Sequence, residues 1–261
     1  MENRVASSFA RRHLWRFAAV ALPWSKQAAA AAPIPDSFPA HPPEMVREMV
    51  IVAHGNFNRV KELIEAKPAL AKAAIDWGFG DWEDALGAAS HVGSREIAEY
   101  LIANGARPTL YSATMLGQLD TVKAFLVAQP GAARIPGPHS ISLLAHAKAG
   151  GKLAEPVFQY LESVGDAGSP TRPSLTAEEA LALAGIYTFG PGPRDRIEIT
   201  EKGGQLTFQR TGTTGRGLLC VGARAFHPVG ASAVRIRFSG SGADMTLTVH
   251  DPDVVVTARR A

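Results

Sequence analysis

Cysteine is nearly absent from this 261-residue chain: Cys220 stands alone, which excludes an intramolecular disulfide. Flanked by Leu218, Leu219 and Val221, with nothing nearby to stabilise a thiolate, it reads as a core thiol rather than a nucleophile. Charge of one sign is scarce as well. The formal net charge is +3, yet residues 1–32 hold five Lys or Arg and one Glu, leaving 22 basic and 23 acidic side chains in residues 33–261. That even mixture offers no phosphate-tracking face, so no nucleic-acid partner is expected. Long apolar runs are missing, and no stretch beyond the first 32 residues could span a bilayer.

Catalytic signatures are missing too. No Ser is followed by Lys at the third position, neither Gly-x-Ser-x-Gly nor His-Glu-x-x-His occurs, and no Gly-Lys-Ser or Gly-Lys-Thr closes a phosphate loop. Gly212-Thr213-Thr214-Gly215-Arg216-Gly217 has the composition of an anion cradle but opens no helix, and it reads as a hairpin loop. No catalytic residue and no cofactor is expected, and the chain reads as a non-enzyme.

What is present begins with an N-terminal segment of its own character. Arg11-Arg12-His13-Leu14-Trp15-Arg16 precedes the short apolar run Phe17 to Trp24, then Ser25-Lys26-Gln27 and the alanines 28–32. It resembles a twin-arginine export signal, with Arg11 and Arg12 as the pair, although Ala10, Leu14 and Trp15 depart from that pattern. The resemblance implies removal of residues 1–32 and a periplasmic or secreted protein. Residues 33–43 read as a linker.

Over residues 44–168, glycines Gly55, Gly93, Gly117 and Gly151 each sit between two helical patterns. After each comes an apolar pair: Leu63 with Ile64, Leu101 with Ile102, Phe125 with Leu126, and more loosely Phe158 with Leu161. Before them lie small residues that permit close stacking, Ala88 and Ala89, Ala113, then Ala145 and Ala147. The unit from Asp84 to Ala106 resembles an ankyrin repeat, and about four degenerate copies are implied. Such units stack into an α-solenoid and bind a protein partner through a concave face and loops. The usual Thr-Pro-Leu-His opening is lost, with only its Leu retained.

The long first spacing holds an insertion, Asp76-Trp77-Gly78-Phe79-Gly80-Asp81-Trp82-Glu83-Asp84, read as a glycine-hinged loop. Trp77, Phe79 and Trp82, with Asp81 and Glu83, are the candidate partner-binding residues, because aromatic side chains dominate interface energetics. The competing expectation is that these rings fold back and seal the helix ends. His54 and His91 lie beside turn glycines of adjacent units, and His139 and His146 lie around the fourth. They are read as bonding backbone carbonyls, since metal ligands drawn from separate units lack the short-range spacing of a metal motif, and no metal is expected.

Residues 169–184 form a linker with a short helix at Leu175 to Ala184. From residue 185 to 261 the period becomes two. Eight short strands are expected, at Ile186–Phe189, Arg196–Thr200, Gln205–Gln209, Leu218–Val221, Ala225–His227, Val234–Phe238, Met245–Val249 and Val254–Thr257. They describe a small antiparallel β-meander or barrel. The runs Leu183-Ala184-Gly185-Ile186-Tyr187, Leu219-Cys220-Val221-Gly222 and Phe226-His227-Pro228 loosely resemble the accessory β-domain that follows penicillin-recognising serine hydrolases. That resemblance brings no catalytic residues. The fold class is therefore multidomain α plus β, an ankyrin-type solenoid followed by a β-domain, and the expected function is an exported protein-protein interaction module. A small-ligand carrier, holding a lipid or cell-wall fragment in the β-domain, is the alternative. Against that alternative, Ile197, Ile199, Leu206, Phe208, Ile236, Phe238, Leu247 and Val249 alternate as a set able to fill a small barrel.

Overall fold

The computed structural model describes residues 34–252 and 254–261, so the export-like segment with Arg11 and Arg12 lies outside the described residues. Its first half is helical and its second half is a closed antiparallel β-barrel.

Four helical hairpins make up the first half. They pair α1 (Pro43–Val52) with α2 (Phe57–Ala66), α3 (Ala85–His91) with α4 (Arg95–Ala103), α5 (Leu110–Met115) with α6 (Leu119–Ala128), and α7 (Leu143–Ala149) with α8 (Glu155–Val164). Several helices start where a side chain accepts an otherwise unpaired backbone N–H: Asn56 caps α2, Asp84 caps α3, Thr109 forms a reciprocal capping box with Ser112 at α5, and Ser142 caps α7. Gly93, Gly117 and Gly151 turn the chain with φ of 77°, 74° and 62°, while Gly55 makes its turn without a positive φ. Helix α3 is the centre of the helical half. Ala85 to Ser90 are all buried, and the helix packs against α1, α4, α5 and α7. Its contact with α7 skips over the intervening hairpin, which a strict nearest-neighbour ladder does not do.

The insertion between the first two hairpins is not a loop. It forms a β-finger of β1 (Ala74–Asp76) and β2 (Trp82–Asp84), with Ile75 opposite Glu83 and Asp76 opposite Trp82. Asp76 holds its tip by accepting from the N–H groups of Gly78 and Gly80.

The barrel strands are β3 (Gly185–Thr188), β4 (Arg196–Lys202), β5 (Gln205–Arg210), β6 (Arg216–Gly222), β7 (Ala225–Pro228), β8 (Arg235–Ser239), β9 (Thr246–Asp251) and β10 (Val254–Arg260). They pair in sequence order, and β10 closes on β3 through Arg259 opposite Thr188. All eight expected strands are present, each within a few residues of its expected bounds, because one face of each alternates apolar residues into a common core. Ile197, Ile199, Leu206, Phe208, Ile236, Phe238, Leu247 and Val249 are all buried in that core, with Tyr187, Leu218, Cys220 and Phe226. Helix α9 (Ala177–Leu183), capped by a Thr176–Glu179 box, adds Ala180 and Leu183 to the core at one end of the barrel. Phe79 of the finger packs on Phe208 at the other end, 5.6 Å between ring centroids. No helix among the described residues is long and apolar enough to cross a membrane.

Gly93 shows how tightly the hairpins fit. A Cβ there would collide with the carbonyl oxygen of Ala149, besides having to accept a φ of 77°. Gly93→Ala should therefore lower stability in urea unfolding by about 2 kcal/mol or more. Gly55→Ala, where a methyl meets open space and φ is not positive, should be neutral or mildly stabilising.

Candidate metal centre

A strand turns alternate side chains to opposite faces, and this rule divides the finger. Glu83 points inward and is 1 % exposed, its neighbour Trp82 points outward and is 64 % exposed, and Asp81, just before the strand, is again inside at 3 %. Asp81 and Glu83 were expected on a partner surface. The finger's pairing instead places both in the interior, where a carboxylate must be matched by cations or hydrogen-bond donors. Trp77 and Phe79 are half-buried, and Trp82 is the ring of the three that stands clear of the protein.

Three imidazoles meet Glu83. His54 follows α1, His91 ends α3, and His139 lies in the short 3-10 turn before α7. One ligand atom from each of His54, Glu83, His91 and His139 lies within 4.8 Å of all the others. The resolved separations are 3.1 Å between the Nε2 atoms of His54 and His91, 2.9 Å from His91 Nε2 to Glu83 Oε1, 3.3 Å from His139 Nε2 to Glu83 Oε2, and 3.7 Å from His54 Nε2 to Glu83 Oε2. Four ligands about 2.0–2.1 Å from one tetrahedral ion stand about 3.3 Å apart. The four quoted separations, which involve both Glu83 oxygens, lie on either side of that value, and every pair of ligand atoms lies within 4.8 Å.

On His54 and His139 the remaining nitrogen is used in the way ligating imidazoles use it. His54 Nδ1 lies 3.1 Å from the carbonyl oxygens of both Val50 and Ile51, which places its proton there and leaves the Nε2 lone pair facing inward. His139 Nδ1 donates to Asp81 Oδ2 at 2.7 Å, and its backbone N–H donates to Asp81 Oδ1 at 2.9 Å. Asp81 also accepts from Arg216 of β6. Trp77 Nε1 donates to Glu83 Oε2 at 2.8 Å. Glu83 Oε1 is different: it is buried without a hydrogen-bond partner, although His91 Nε2 stands at bonding distance. Two atoms so close yet not aligned as donor and acceptor fit two ligands of one cation. His139 and Ser140 both take φ of 58°, a strained conformation for residues with a Cβ, and Asp81 holds His139 in it.

The electrostatics follow from these contacts. Burial favours the neutral form of Glu83, but His139, the adjacent His91 imidazole and the Trp77 indole N–H overcome it and bring its pKa down to about 2. Burial opposes charge on His139 also, yet Asp81 and Glu83 raise its pKa to about 9. Asp81 is likewise opposed by burial and held below the usual carboxylate range by His139 and Arg216.

His146 is not in this cluster. It bonds the Ser142 carbonyl at 2.9 Å, and burial lowers its pKa. The expectation that these histidines serve backbone carbonyls describes His146 and one nitrogen of His54, but it misses the convergence of the others. No protein-family model and no curated protein matches the sequence.

The raised pKa of His139 gives a pH dependence with a definite sign. The folded protein holds this proton up to about 9 whereas an unfolded histidine releases it near 6.5, so the pairing stabilises fully below about 6.5 and is lost as pH rises through about 9. In the presence of a chelator, the urea midpoint of the wild type should fall between pH 6.5 and 9.5 more steeply than that of His139→Gln. Equal slopes would remove His139 from the charged network.

Proposed function

We propose that this chain is a metal-dependent binding scaffold, in which a divalent transition ion held by His54, Glu83, His91 and His139 clamps the helical hairpins to one another. The observation that carries this reading is the convergence of three Nε2 atoms on the buried Glu83 carboxylate, one oxygen of which has no hydrogen-bond partner, with one ligand atom of each residue within 4.8 Å of the others. Three imidazoles and one carboxylate suit Zn²⁺ and its first-row neighbours better than Ca²⁺ or Mg²⁺. Four protein ligands fill a tetrahedral sphere, which is the pattern of a structural rather than a catalytic zinc site. The ligands come from the first hairpin, the finger, the second hairpin and the turn before the fourth, so one ion would join segments more than 80 residues apart in sequence.

The scaffold's role, in this proposal, is to present a surface to a protein partner. The four hairpins are degenerate ankyrin-type repeats, a reading supported by their glycine turns and by α3 lying against α1 and α5 against α3. Trp82, exposed on the outer face of the finger, is the anchor. Trp77 and Phe79 do not serve as contacts, since one bonds Glu83 and the other packs into the barrel core. Arg11 and Arg12 support an exported setting for this activity.

Titration of chelator-treated protein with Zn²⁺ should show one site per chain. At a free concentration about 100-fold above Kd, binding should add about 2.7 kcal/mol, which raises Tm by roughly 5–10 °C in a protein of this size. Glu83→Gln and His91→Ala should abolish the shift, and Trp82→Ala should retain it in full. With Co²⁺ the visible spectrum should have the intensity of a four-coordinate ion. A weak, six-coordinate spectrum would mean that solvent completes the site and would overturn the structural role.

A further inference from the structure

The open end of the barrel holds a cavity of about 320 Å³, set between the tip of the finger and the ends of the strands. Aromatic rings form most of its wall. Trp77 and Phe79 come from the finger, Phe189 follows β3 and Phe208 lies in β5, while Ile197 and Val256 add branched aliphatic surface. The buried set inside the barrel fills the interior below them, so the cavity is a mouth and not a channel. An apolar cavity of about 150 Å³ holds one benzene, so roughly twice that volume admits two fused rings.

The charged groups around the mouth are already matched by the protein. Arg216 is 7 % exposed, and its terminal nitrogen donates to Asp81 and, at 2.7 Å, to the carbonyl of Val229. Its Nε is enclosed and out of reach of a ligand. Arg210 stands 4.0 Å from Asp195 and donates to the Arg194 carbonyl at 2.8 Å. Arg47 donates to Thr214 Oγ1 at 3.0 Å, and Thr213 donates to the Arg210 carbonyl at 2.9 Å. With Asp251, which also lines the cavity, three carboxylates balance three guanidiniums. The ring faces that would attract a cation are occupied as well, Trp77 by Arg47 at 4.9 Å and Phe189 by Arg210 at 5.4 Å. An ion of either sign would give up its hydration here without gaining a net counter-charge.

We propose that this mouth binds a small neutral aromatic molecule, about two fused rings in size, held by ring contacts and the exclusion of water rather than by a charged anchor. None of the lining residues is among His54, Glu83, His91 and His139, so the site does not require the ion proposed for them.

Three probes share one ring body and differ in the charge of the head: 2-naphthylmethanol, 2-naphthoate and 2-naphthylmethylammonium. In calorimetric titration of the full chain, the alcohol should bind saturably, one per chain, about tenfold or more tighter than either ion. Its affinity should be the same with and without a chelator. The fully saturated decahydro analogue of the alcohol should bind more weakly, since it lacks the ring contacts. Val256→Trp, which fills the cavity from β10, should abolish binding of the alcohol while leaving the one-site Zn²⁺ titration intact. Asp251→Asn removes one of the balancing carboxylates, and should tighten naphthoate toward the alcohol without moving the alcohol itself. Absence of saturable binding, an ion held as tightly as the alcohol, equal affinity for the saturated analogue, or undiminished binding by Val256→Trp would overturn the proposal. A failed Zn²⁺ titration alongside normal binding of the alcohol would count against the metal centre alone.

Discussion

Two carboxylates turned inward on one short finger set the terms for the helical half and for its junction with the barrel. A buried Asp or Glu is tolerated only when donors or cations surround it, and here each is surrounded from a different direction. Glu83 draws His91 from the second hairpin, His54 from the first and His139 from the turn before the fourth. Asp81 draws that same turn through His139 and the barrel through Arg216. Ser140 reinforces the junction by accepting from the N–H of Gly230 at 2.8 Å. Gly230 is required there, since a Cβ would collide with the Asp81 carboxylate. Removal of one member of such a network leaves the others buried and unmatched, which costs about 3–5 kcal/mol for a broken buried pair.

How much of this was legible in the sequence depended on the range of the interaction. The barrel could be read strand by strand because Ile197 and Ile199, or Ile236 and Phe238, announce a buried face within three residues. The helical hairpins could be read because a glycine between two apolar periods is a local signal. The centre could not be read in the same way, since His54, His91 and His139 are separated by 37 and 48 positions and nothing near any of them marks a ligand. The finger misled for a more instructive reason. Interleaved aromatic and acidic residues suggest an exposed loop, because carboxylates are seldom buried. The alternation Asp81-Trp82-Glu83 carried the opposite message, a strand with its polar face inward and its apolar face outward.

Trp82 and Glu83 share that strand, and their opposed orientations join the two proposed activities. An ion bound to Glu83 would fix the finger against the hairpins, and a fixed finger presents Trp82 at little further entropic cost, as preorganised contacts do. A partner that bound through Trp82 would therefore bind the metal-loaded chain more tightly. By linkage it would tighten the metal site to the same degree.

Arg216 extends the same argument to the barrel. Its terminal nitrogen donates both to Asp81, which orients His139, and, at 2.7 Å, to the carbonyl of Val229. A carboxylate acceptor at Nδ1 raises the basicity of Nε2, the atom that faces the other residues of the cluster. The barrel and the centre between the hairpins are thus joined through one side chain and two hydrogen bonds, so that a change in either is felt by the other without a change in the fold.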